Sequence, residues 1–114
     1  DGSHLTEIWQ RRQQFTPGWT DLDAMHRGII QMLRVTGDEI HGFRAAFSQN
    51  LEEVLLAIDV PTMILTNTGD DIYFAAKRAA LLRPDFSFLE LEGGTHDIVD
   101  EQTQIWVKSV TDFL

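Results

Sequence analysis

The stretch "VPTMILTNTGDD", residues 60–71, decides how the chain is read. Its first seven residues form a short apolar run led by a proline, the pattern of a strand buried on both faces. "NTGDD" then supplies a turn, built from residues that bend the backbone cheaply. Past it, Ile72, Ala75, Ala76, Ala79 and Ala80 recur at helical spacing and give a small-residue face suited to close packing on a sheet. Pro84 and Asp85 break that helix, and "FSFLEL", residues 86–91, reads as a second strand. After two glycines, Trp106, Val110, Phe113 and Leu114 line one face of a closing helix. The order strand, helix, strand, helix predicts parallel strands joined by a right-handed crossover. The fold class is therefore α/β over residues 59–114.

Upstream, residues 1–58 read as all-helical. Leu22, Met25, Ile29, Met32 and Leu33 share a face of a helix starting near Thr20 and stopping before Gly37. Ile40, Phe43 and Phe47 mark another helix. Leu51, Val54, Leu55 and Ile58 mark a third, with Asn50 as N-cap and Glu53 placed to complete a capping box. Leu5, Ile8 and Trp9 suggest one more, stopped at Pro17 and Gly18. Two parallel strands with two helices cover little apolar area and leave strand edges unpaired. The second half thus reads as the end of a sheet whose other strands come from a partner chain or from an upstream segment.

Bulk composition removes several functional classes. With 114 residues, 43% hydrophobic and 24% charged, the chain has the balance of a globular domain or a piece of one. No apolar run approaches the roughly 20 residues that span a bilayer, and no signal peptide opens the chain. The absence of cysteine excludes disulfides, thiolate metal sites and a cysteine nucleophile, and fits a cytoplasmic setting. Eighteen acidic residues against nine basic ones give a net charge of −9, which a nucleic-acid backbone would repel. Neither nucleic acid nor a membrane is an expected partner.

Chemistry is expected where the strands end, because open α/β sheets bind ligands outside the carboxyl ends of their strands. The first strand runs into Gly69, Asp70 and Asp71; the second runs into Gly93, Gly94, Thr95, His96 and Asp97. If the strands are neighbours, an acid and a histidine meet at one edge, as a base and its orienting carboxylate must. The plainer readings are a loop histidine and a turn aspartate that caps a helix. Asp97, Asp100 and Glu101 suggest a metal site only weakly. They fit surface acids at a helix N-terminus, where negative charge is favourable, and no zinc spacing is present. His4, His26 and His41 belong to the helical half and read as surface or cap residues rather than ligands. Trp9, Phe15, Trp19, Phe43 and Phe47 read as aromatics that pack helices together.

Residues 60–114 resemble the C-terminal portion of an α/β-hydrolase. The shared features are a proline-led strand, an acid in a Gly/Asp turn, a helix, a strand ending in a "G-x-H" segment, and a last helix ending in "FL". The resemblance implies that Asp70 is the triad acid, with Asp71 as the alternative, and that His96 is the triad histidine. It also implies that the helical segment, 1–58, is a cap; its opening "DGSHLTEIWQRR" resembles the start of one. No G-x-S-x-G elbow is present. The serines are Ser3, Ser48, Ser87 and Ser109, none of them between glycines. The resemblance therefore implies that the first strands, the nucleophile (serine or aspartate) and the oxyanion-hole loop precede residue 1.

Two functions follow from the sequence. In the first, the chain is the cap and C-terminal part of a hydrolase. It supplies Asp70 and His96 for cleavage of an ester or related bond in a small molecule, needs no cofactor or metal, and is inactive by itself. In the second, it is a non-catalytic acidic module that oligomerises through its unpaired strand edges or binds another protein.

Overall fold

The computed structural model describes residues 1–35 and 39–114, which divide into two compact units, Asp1–Gln49 and Asn50–Leu114. The first unit is helical: α1 (Ser3–Phe15), α2 (Leu22–Arg34) and α3 (Glu39–Ser48). α1 stops where the sequence says it should. Thr16 turns its hydroxyl back onto the Arg12 carbonyl at 3.0 Å, Pro17 has no N–H to give, and Gly18 takes a left-handed φ of 82°. α2 is capped by Asp21, whose carboxylate accepts the Ala24 N–H at 2.9 Å, and Arg34 complements its C-terminal end. Met25 and Ile29 of the expected apolar face are buried and Leu33 is half-buried. Leu22 and Met32 flank that face and stay exposed. Trp9 of α1 packs its ring on exposed His26 of α2 with centroids 5.2 Å apart. Phe43 and Phe47 stack on each other one turn apart on α3. The expected stop at Gly37 lies outside the described residues, as does the side chain of Ile40.

The second unit runs α4 (Leu51–Leu56), β1 (Met63–Asn67), α5 (Tyr73–Leu82), β2 (Ser87–Leu91), α6 (Ile98–Glu101) and α7 (Thr103–Phe113). It is a mixed α/β unit whose two strands pair in parallel. α4 belongs with it, so the two compact units divide after Gln49. The physical link is Arg83: one guanidinium nitrogen donates to the Leu55 carbonyl while the group forks onto Asp85 at 2.9 and 2.7 Å and lies over the Phe86 ring. Asn50 does stand at the N-cap of α4, but the capping box is not made. Its amide donates to the Glu53 carboxylate at 2.6 Å instead of its oxygen receiving a backbone N–H.

β1 starts three residues later than the apolar run, because Pro61 cannot donate to a ladder, and it extends through Asn67. β2 matches its expected span apart from Phe86, which is buried just ahead of it. α5 turns Ala76, Ala79 and Ala80 inward and leaves Ile72 and Ala75 exposed. The expectation of strands buried on both faces is met only at the carboxyl ends. Thr66, Asn67 and Leu91 are buried, whereas Phe88 and Leu89 are exposed, since a two-stranded sheet offers nothing to cover them. The closing helix also departs from its expected form. Gln102 (φ −131°, ψ 44°) interrupts it and separates the four-residue α6 from α7, while its side chain donates to the Glu92 carbonyl at 3.0 Å. Among the described residues, no helix is long and apolar enough to cross a membrane.

Candidate functional site at the carboxyl ends of the strands

Register fixes the site. Met63 lies opposite Ser87 and Asn67 opposite Leu91, so both strands deliver their carboxyl ends to one edge. The ladder then continues into the turns. Thr68 N–H donates to the Leu91 carbonyl at 3.0 Å and Gly69 N–H to the Gly93 carbonyl at 3.2 Å. Gly93 N–H donates back to the Thr68 hydroxyl at 2.8 Å. The approach is close enough that a Cβ at position 69 would stand 1.9 Å from the Gly94 carbonyl oxygen, so glycine is required there. Gly94 itself holds φ 69°, a left-handed conformation that other residues adopt at a cost.

Asn67 locks this seam from beneath. Its side chain is 1% exposed, and its amide nitrogen donates to the Gly93 carbonyl at 3.0 Å and the Thr95 carbonyl at 3.1 Å. On the far side of the loop, Glu101 accepts the Thr95 N–H at 2.6 Å with one carboxylate oxygen and the Thr95 hydroxyl at 2.8 Å with the other. Glu101 is therefore a half-buried loop clamp, which corrects its reading as a surface acid. Ile98, buried beneath Gly94, gives the loop its apolar footing.

The expected functional residues sit on this frame. Asp70 is half-buried at the first turn, and its carboxylate accepts the Ile72 N–H at 2.9 Å, a local turn that leads into α5. Asp71 is exposed beside it. His96 follows Thr95 and keeps its ring 38% exposed. The carboxylate set beside that ring is Asp97's, with an oxygen 3.3 Å from Nε2 and a side chain only 17% exposed. The turns carrying Asp70 and His96 are thus hydrogen-bonded together, while each side chain also has a partner from its own loop. Glu90, next to last in β2, ties to α5: Tyr73 donates to it, and Lys77 donates to the Tyr73 oxygen at 3.2 Å. That hydrogen bond, with the charge of Glu90 behind it, raises the Lys77 ammonium above its ordinary value.

Ser87 begins β2, at the opposite end of the strand from His96, and Ser109 spends its hydroxyl on the Ile105 carbonyl within α7. Neither has the exposed strand-to-helix setting of an activated nucleophile. Among the described residues, no group of three or more His, Asp or Glu side chains is placed to hold a metal ion. A hollow of about 380 Å³ between α4 and α5, lined by Leu51, Leu55, Ala75, Ala79 and Leu82 among others, does not include Asp70 or His96.

Sequence reading located the two turns and missed what holds them. Asn67 carried one usable signal, a polar residue closing an apolar strand. The pairing of Glu101 with Thr95 had none, because neither periodicity nor motif spacing reports it. Compared with protein-family models, with curated proteins and with solved structures, the chain has no match in any of the three.

Proposed function

We propose that this chain supplies the acid and the histidine of an α/β-hydrolase-type triad, Asp70 and His96, to a nucleophile that lies outside it. The substrate class is a small molecule with an ester or related bond. The observation that carries this reading is the hydrogen-bonded seam between the turn of Asp70 and the loop of His96 at one edge of a parallel sheet. In that role Asp70 receives one imidazole N–H of His96 on the carboxylate oxygen not used by Ile72. The other ring nitrogen then takes the proton of the nucleophile or of the attacking water and later returns it to the leaving group. The helical segment, residues 1–58, acts as the cap.

The test is turnover of an activated ester by the gene product that joins these residues to a nucleophile-bearing segment, with and without His96→Ala. Loss of about 10³-fold or more is expected, as triad members act as a unit. Unchanged turnover on His96→Ala sinks the proposal, and so does robust hydrolysis by residues 1–114 alone.

A second reading draws on a different observation. Both outer edges of the two-stranded sheet lack a ladder partner among the described residues, and Phe88 and Leu89 are exposed on it. A second copy of this acidic chain that adds its strands there would make the protein an oligomerisation module.

A further inference from the structure

The loop that presents His96 has a conformational problem. Gly93 and Gly94 precede it with φ of 67° and 69°, and glycine visits many other conformations at little cost. A histidine acting as a base needs placement to a fraction of an ångström, since about 1 Å of displacement can cost ~10²-fold in rate. Something after the glycines must therefore fix the backbone.

Thr95 is where that happens, and every polar group it has is engaged. Its N–H and hydroxyl both donate to the Glu101 carboxylate, at 2.6 and 2.8 Å. Its hydroxyl accepts the Asp97 N–H at 3.2 Å. Its carbonyl accepts from Asn67 at 3.1 Å and from the Ile98 N–H at 3.1 Å. The peptide groups on both sides of His96 are thus held while its ring stays exposed. A carboxylate that accepts two donors from one residue is a directional, charge-assisted clamp. Glu101 is itself anchored, its N–H donating to the Asp97 carbonyl at 3.1 Å.

We infer that Glu101 is a positioning residue for His96, acting through Thr95. This rests on the reading of His96 as the base, although the clamp can be measured without it. Two pairs of variants separate placement from general stability. Glu101→Ala removes both acceptors, whereas Glu101→Gln keeps one oxygen for the Thr95 N–H and offers its amide to the hydroxyl. Thr95→Val removes the hydroxyl, whereas Thr95→Ser keeps it.

In residues 1–114, the His96 ring cross-peaks in histidine-labelled NMR spectra should shift or broaden in Glu101→Ala and Thr95→Val. Thr95 amide exchange in Glu101→Ala should speed by at least ~10-fold. Both signals should stay near wild type in Glu101→Gln and Thr95→Ser. In the hydrolytic gene product, the two disruptive variants should lose at least ~10-fold in kcat, with KM changing by less than about 2-fold. Should Glu101→Ala fail to fold by circular dichroism, the Thr95 pair carries the test. Unmoved ring signals and kcat in the disruptive variants overturn the inference, as does an equal fall in the conservative ones. If His96→Ala leaves turnover intact, the hydrolase reading falls instead, and the ring and exchange signals still decide whether the clamp exists.

Discussion

Asn67 is the most informative side chain to change, because its size and its hydrogen bonds predict opposite orders of damage. It is 1% exposed and donates to two carbonyls, those of Gly93 and Thr95. Both carbonyls keep a second donor, Gly69 N–H and Ile98 N–H, so neither is orphaned when the amide is lost. Asn67→Ala therefore removes two net hydrogen bonds at ~0.5–1.5 kcal/mol each, or about 1–3 kcal/mol together, and the vacated space adds to that. Asn67→Asp keeps the volume but turns a buried carboxylate onto two carbonyl oxygens, which costs more than alanine. A unit of this size has only ~3–10 kcal/mol of stability in total, so either change is a large fraction of it. Urea unfolding at neutral pH, followed by far-UV circular dichroism, reads the order directly. Wild type should be the most stable, alanine intermediate and aspartate the least stable. If aspartate is milder than alanine, packing and not donation holds the seam, and the reasoning is refuted.

Two further outcomes are expected. The Arg83 hydrogen bond holds the Asp85 carboxyl below its ordinary value of 3.8, so folding favours the ionised form. The resulting stability is present in full above 3.8 and is lost as the pH falls through the lowered folded value. Urea midpoints measured against pH should show a steeper acid loss in wild type than in Asp85→Asn, and parallel curves would count against the pair. If the strand edges drive self-association, sedimentation of residues 1–114 should give a defined dimer or higher oligomer that Phe88→Lys and Leu89→Lys dissociate. A monomer at all concentrations removes the oligomerisation reading.

Elements with strong local signals were legible from sequence. The helical spacing of Leu22, Met25 and Ile29 gave α2, and Pro84 with "FSFLEL" gave the end of α5 and the start of β2. The order of strands and helices gave parallel pairing, hence the edge where Asp70 and His96 lie. What escaped were choices between competing local partners. Asn50 had an N–H to cap and chose the side chain of Glu53. Asp97 looked like a helix-leading surface acid and lies against His96. Gln102 sat inside a helical pattern and broke it by reaching back to Glu92. The locks on the His96 loop reach across elements, from Asn67 in β1 and Glu101 in α6, and hydrophobic period is blind to such polar contacts.

The near-collision of Gly69 with the Gly94 carbonyl also bears on ancestry. Two turns separated by a whole helix and a strand have lost their freedom to vary independently. A side chain acquired at 69 forces the backbone at 94 to retreat, and with it the left-handed bend that aims His96. Descendants of this chain should therefore keep both glycines or replace the pair in concert, even where the helical half has drifted beyond recognition.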